Sequence, residues 1–177
     1  MLKKILSISA YIIVIVILGL LIRYFANNPL AGKPQISAAP FYTANLIDAA
    51  GKKVQLEQYR NKIIVLNFWA TWCPPCREEM PELSQLHDRY QDKNVLVLGV
   101  AIDELAAVNA YLQASPVSYP IILSENESME LATKLGNDQA VLPYTVIIDA
   151  NGNVIDTFLG RISLTLLEKS LQKLTHP

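Results

Sequence analysis

The sequence predicts an α/β domain with a mixed sheet, preceded by one apolar N-terminal helix. Three observations carry this reading. Between residues 63 and 135, short apolar runs of strand length alternate with stretches of helical periodicity. Two further strand-like runs, Thr145 to Ile148 and Val154 to Phe158, flank Asn151-Gly152, a strong hairpin signal, and an amphipathic helix closes the chain. At the other end, Ile5 to Ile22 is an 18-residue block without a charge; as a helix it spans roughly 27 Å, close to the hydrocarbon thickness of a bilayer.

Taken in order, Ala26 to Pro40 carries Pro29, Pro34 and Pro40 with Gly32 and two asparagines, the composition of a linker. Phe41 to Ile47 alternates weakly and predicts a first strand. Asp48-Ala49-Ala50-Gly51 is a turn signal, Lys53 to Leu56 a short return strand and Leu56 to Arg60 a helical turn. Ile63 to Phe68 is the apolar central strand. Pro74 to Gln91 follows as a helix, with Met80, Leu83 and Tyr90 on one face and Pro81 inside it as a kink. Val95 to Ile102 is continuously apolar and reads as a buried parallel strand. Asp103 to Gln113 is helical with Asp103 as candidate N-cap, and Ser115-Pro116 ends it. Ile121 to Leu123 is a short strand, and Glu125 to Leu135 a helix stopped by Gly136-Asn137. Ser163 to Leu174 places Leu164, Leu167, Leu171 and Leu174 on one helix face. The implied organisation is an anchor over residues 1–25, a linker over 26–40 and one domain over 41–177.

Both cysteines lie in one motif, Cys73-Pro74-Pro75-Cys76, where the central strand hands over to a helix. A sulfur at a helix N-terminus faces unpaired backbone N–H groups and the positive end of the macrodipole. Both favour the thiolate, which is the nucleophile in disulfide exchange. Cys73 is therefore the expected exposed attacker, and Cys76, one turn into the helix, the shielded resolving thiol. A purely structural bridge closing so small a loop would remove little chain entropy. A zinc site would need two more ligands, and the only histidines, His87 and His176, have no finger-like spacing from the pair. A redox dithiol is the reading that remains.

Lys3 and Lys4 before the apolar block, and Arg23 after it, suggest an uncleaved anchor whose N-terminus stays in the cytoplasm. No small-x-small cleavage site directly follows the block, where Arg23, Tyr24 and Phe25 stand. The remainder would occupy a periplasm-like space, where disulfide chemistry persists. Without Lys3, Lys4 and Arg23 the 15 basic residues fall to 12 against 16 acidic ones, a net of −4. No basic patch argues for nucleic acid.

The phrase NFWATWCPPCREEMPEL, set between a strand and a helix, resembles the membrane-anchored, extracytoplasmic thioredoxin-like reductases of the TlpA and ResA family, with the cytochrome c maturation thioredoxins as close relatives. The resemblance covers about Ala39 to Leu174. It implies a thioredoxin fold with an N-terminal strand extension and a helix-plus-strand insertion at Asp103 to Glu125. It also implies that Leu142-Pro143-Tyr144-Thr145 is the cis-proline loop, which packs on the cysteine pair and offers a backbone edge to an incoming substrate strand. Trp72, Pro74, Pro75, Leu142, Pro143 and Tyr144 are then the candidate substrate-binding residues.

Two departures from the family pattern matter. Asn67 stands where thioredoxins place a buried aspartate, and an amide cannot accept a proton from Cys76; it is expected only to satisfy local hydrogen bonds. The family instead uses a carboxylate after the next strand, a position that Asp103 matches, with Glu104 beside it as substitute. A partly buried carboxyl there could trade a proton with the thiols near neutral pH; the competing role for Asp103 is the helix cap. Glu78 and Glu79 are expected to be solvated first-turn residues matching the dipole. Trp72 is expected to shield the motif from water, Trp69 to be core or wall, and His87 to lie on a helix surface.

The expected activity is protein-disulfide reduction by a Cys73–Cys76 dithiol, without metal or cofactor. Its expected partners are a disulfide-bearing client, apocytochrome c among the candidates, and a transmembrane thiol transporter as electron donor. An oxidase or isomerase of the same fold is one alternative. Another is a thiol-based Cu(I)-binding domain, which needs a histidine or methionine near the pair. A peroxidase is disfavoured by Ala70, where a threonine is usual.

Overall fold

The computed structural model describes residues 2–27, 36–124 and 126–175. The chain divides into two compact units, Met1–Pro34 and Gln35–Pro177. In the first, helix α1 runs Leu2–Asn27, and its described side chains, Tyr11 to Phe25, are all exposed. Among the described residues no helix is long and apolar enough to cross a membrane. Most of the expected linker, residues 28–35, lies outside the described residues.

The second unit starts before residue 41. Ser37 bridges Asn153, the Ala38 N–H donates to Gly152 O (2.9 Å) and the Val154 N–H to Ile36 O (2.9 Å). The stretch expected as a first strand is instead helix α2, Ala39–Thr43, followed by an extended link to the two-residue strand β1, Ile47–Asp48. Pro40 sits in the first turn of α2, where its missing N–H costs nothing. Phe41 and Tyr42 are buried side by side, which a half-buried strand does not allow. The expected return strand is reduced to a single bridge, Ile47 to Lys53. The turn between them is built by Asp48, whose Oδ1 accepts from the Ala50 and Lys52 N–H groups, with Gly51 at φ 78°.

A 3₁₀ turn, Leu56–Tyr59, leads to β2, Ile63–Trp69. Helix α3, Pro74–Tyr90, passes through Pro81 and is followed by a second 3₁₀ turn, Gln91–Lys93. Then come β3 (Val95–Ala101), α4 (Leu105–Ala114), β4 (Ile121–Leu123), α5 (Ser128–Lys134), β5 (Tyr144–Ile148), β6 (Val154–Leu159) and α6 (Leu164–Thr175). The sheet order is β1-β4-β3-β2-β5-β6, with β2, β3 and β4 parallel and β1, β5 and β6 antiparallel to their neighbours. This is the mixed sheet that the sequence predicts.

The period of two along the strands builds two cores. Ile64, Leu66 and Phe68 of β2 pack with Leu98, Val100 and Val146 against α2 and α5. Ile63, Val65 and Trp69 pack on the other face with Met80, Leu83 and Leu86 of α3 and Leu167 and Leu171 of α6. Asn67 belongs by position to this second face, so its amide is aimed at α3.

Candidate active site

β2 ends at Trp69, and four residues later Cys73 is the N-cap of α3, at φ −98° and ψ 102°. Its Sγ accepts a hydrogen bond from the Cys76 N–H (3.3 Å). Pro74 and Pro75 occupy the first two helical positions, which need no N–H donors and suit a proline φ. The sulfurs are joined in a disulfide, S–S 2.05 Å, with the Cα atoms 5.3 Å apart. Cys76 is fully buried, as expected. Cys73 is only 5% exposed, so the attacking sulfur presents a small window rather than an open face. Pro74 and Pro75 are exposed beside it. Trp72, the residue before Cys73, is itself 65% exposed. Trp69 is core, its ring 5.5 Å from that of Tyr111.

The Leu142–Pro143 peptide is cis. Pro143 is buried and sits one step beyond the Phe68–Tyr144 pair of the β2–β5 ladder, at the end of the sheet where β2 leads into the motif. The Pro143 carbonyl accepts from the Gly160 N–H (2.8 Å), and Asn137 holds Val141 through both its N–H and its C=O. Among the described residues the Leu142 N–H and C=O have no hydrogen-bond partner. Tyr144 turns away from solvent and donates its hydroxyl to Leu135 O (2.8 Å).

The principal correction concerns Glu79. Glu79, expected in solvent, is 0% exposed. Its Oε1 accepts from Asn67 Nδ2 (2.7 Å) and its Oε2 from the Ile162 N–H (2.9 Å). Asn67 Nδ2 also donates to Thr145 Oγ1 (3.0 Å), so Asn67 does satisfy local hydrogen bonds, but one of its partners is the site's carboxyl. Burial pushes the Glu79 carboxyl up from 4.5 to about 7, against the opposing pull of the Ile162 N–H, the Asn67 amide and Arg161. Cys76 and Glu79 lie three residues apart on the buried face of α3, hence on neighbouring turns of one stripe. The signal was present in the sequence: position 79 falls three after Cys76 and four before Leu83, on the apolar stripe itself.

Asp103, on the loop after β3, accepts from the Thr71 N–H (3.2 Å) and the Thr71 hydroxyl through Oδ2, and from the Glu104 N–H (2.9 Å) through Oδ1. It does not cap α4. Exposed Glu104 holds that position, without a side-chain bond. The hydrogen bonds of Asp103 thus go to the turn that delivers Cys73 and to its own loop. Glu78 is exposed, as expected, and His87 is half-buried on α3. Among the described residues no three His, Cys, Asp or Glu side chains cluster as metal ligands.

What this arrangement can do is reversible two-electron exchange. Cys73 Sγ is held at a helix N-terminus, the Leu142 backbone is unpaired among the described residues in the loop before β5, and a carboxyl pushed up to about 7 lies three residues from Cys76 on the same buried helix face. Known proteins agree. Residues 37–157 match the AhpC/TSA family. A thiol-disulfide oxidoreductase ResA of Bacillus cereus is 32% identical over 129 residues, 72% of each chain. ResA of Geobacillus kaustophilus is 32% identical over 139 residues, 78% of this chain and 76% of that one. The crystal structure of a thiol:disulfide interchange protein of the thioredoxin family from Chlorobium tepidum TLS superposes with a TM-score of 0.65 at 24% identity, over 82% of this chain and 99% of that one, a likeness of fold. The chain therefore belongs to the AhpC/TSA family, and within it to the ResA-like thiol-disulfide oxidoreductases of thioredoxin fold.

Proposed function

We propose that the chain is a membrane-tethered reductant of protein disulfides working outside the cytoplasm. The observation that carries this reading is the buried Glu79 carboxyl on the same helix stripe as Cys76. The Cys73 thiolate attacks one sulfur of a client disulfide. A Cys73–client bond forms, the client S–S bond breaks, and the leaving client sulfur takes up a proton. The client segment pairs along the free Leu142 backbone beside Pro143 and rests on Trp72, Pro74 and Pro75. Cys76 then gives its proton to the Glu79 carboxylate and attacks Cys73. The second client sulfur is released and the Cys73–Cys76 disulfide remains. Two electrons pass to the client, and no group beyond the two sulfurs has to carry them. Asp103 acts as a positioning residue, fixing Thr71 and so the turn before Cys73.

Tethering rests on the apolar block Ile5 to Ile22 with Lys3 and Lys4 before it. Regeneration then requires a thiol donor reaching across the membrane, and apocytochrome c is one candidate client. The test is trapping. Cys76→Ala in cells should accumulate a few extracytoplasmic cysteine-containing proteins linked to Cys73. Normal expression without adducts would reject the proposal.

A further inference from the structure

Residues 160–164, between β6 and α6, are tied to α3 by three carboxylates. Glu79 Oε2 accepts from the Ile162 N–H (2.9 Å), and Glu82 Oε2 from the Leu164 N–H (2.6 Å) at the start of α6. Arg161 lies between them and forks. Its Nη1 is 3.4 Å from Glu78 Oε2, and its Nη2 is 3.2 Å from Glu82 Oε1. At the other end of the strap, the Gly160 N–H donates to Pro143 O (2.8 Å). A single short segment therefore joins the cis-proline loop to the buried acid.

The fork has a peculiar placement. Glu78 and Glu82 are four residues apart on α3 and repel one another. An exposed ion pair of this kind adds little to stability, so stability alone gives it slight purpose. What it does is hold one guanidinium on α3, near enough for its charge to be felt at Glu79, on the residue next to the one whose N–H meets that carboxyl. From these contacts we infer that Arg161 is a positioning residue of the redox site, clamping the 160–164 strap to α3 so that the proton held by Glu79 is released at the pH at which the dithiol works. This rests on the reading of Glu79 as the proton acceptor for Cys76.

The charged and titratable groups facing Glu79 are few. The strap brings Arg161, and α3 itself brings Glu82 and Cys76. The segment before β4 brings Tyr119, whose hydroxyl is held well above the usual tyrosine range by its burial first and by the charge of Glu79 second. β2 and β5 present only Asn67 and Thr145, and Glu168 of α6 is engaged by Arg89 farther along (3.0 Å). Among the described residues Arg161 is the one cation in this set, so removing it leaves Glu79 and Glu82 without it.

The experiment is carboxyl ¹³C NMR of glutamate-labelled, full-length protein in detergent, kept oxidised so that no thiol titrates. The Ile162 amide proton serves as a second reporter. Arg161→Gln should raise the Glu79 midpoint by about half a pH unit, and Arg161→Lys should return most of that shift. The pH profile of client-disulfide reduction should move with it. A Glu79 midpoint unmoved in Arg161→Gln overturns the inference, while the wild-type rate profile still tests Glu79 as proton acceptor. A midpoint that moves while the rate profile stays fixed upholds the clamp and overturns the role given to Glu79.

Discussion

Replacing Glu79 with Gln should make the protein more stable relative to wild type as the pH rises. Glu79 titrates at 4.5 in a solvated chain and at about 7 in the fold. A carboxyl whose folded value is raised supports the fold fully below about 4.5, and that contribution is lost as pH climbs through about 7. At about 1.4 kcal/mol per pH unit, the ionised carboxylate at pH 8 costs roughly 3 kcal/mol relative to its neutral form, and at pH 5 less than about 1 kcal/mol. Glutamine has the same shape and does not ionise. Its carbonyl can accept from the Ile162 N–H, and Asn67 can turn its unpaired Oδ1 toward the new amide. Urea denaturation of the oxidised proteins should therefore show the stability of Glu79→Gln relative to wild type rising by about 2.5 kcal/mol between pH 5 and pH 8. A difference that is the same at both pH values would refute the reasoning, because a buried carboxyl without a raised proton affinity cannot serve Cys76.

Other perturbations test neighbouring parts of the account. In disulfide-reduction assays at pH 7, Glu79→Gln should slow resolution of the mixed disulfide by about tenfold to a hundredfold or more, while Asp103→Asn should stay within a few-fold of wild type; the reverse order would return the acid–base role to Asp103. Thr71→Val, which removes the hydroxyl held by Asp103, should lower stability by about 1 kcal/mol in denaturant titrations. A methyl group at Gly99 would meet Ile121 Cδ1 at 2.5 Å, Tyr119 Cε2 at 3.1 Å and Trp69 Nε1 at 3.2 Å. Gly99→Ala should thus cost about 1–3 kcal/mol, read as a lowered Tm.

Much of the fold was legible because its signals are local. The apolar runs of β2 and β3 and the stripe of α3 announce themselves within a few residues, and Asp149-Ala150-Asn151-Gly152 carries the β5–β6 hairpin through Asp149 Oδ1 and Gly152 at φ 82°. The start of the domain was harder. Weak alternation over Phe41 to Ile47 looks like a strand, but Pro40 and the burial of two adjacent aromatics decide for a helix, and only tertiary packing on β2 shows it. In the site, the Cys73–Cys76 pair and the cis Leu142–Pro143 bond were legible from the motif and the family resemblance. The burial of Glu79 was not, because the first-turn dipole rule and the apolar stripe compete at position 79. The stripe wins because Asn67 and the Ile162 N–H, 12 and 83 residues away, supply the bonds that a buried carboxyl needs. No local pattern announces Ile162, and none announces that Arg161 will pair with Glu78 and Glu82 on α3.

The central claim is that Cys73, capping α3, is an acidified nucleophile. The direct measurement is the thiolate absorbance of reduced Cys76→Ala protein titrated with base. The account predicts a Cys73 midpoint well below the free-cysteine value of about 8.5, with rapid reaction toward a small disulfide at pH 7. A midpoint at or above about 8.5, together with inertness toward that disulfide, would contradict it.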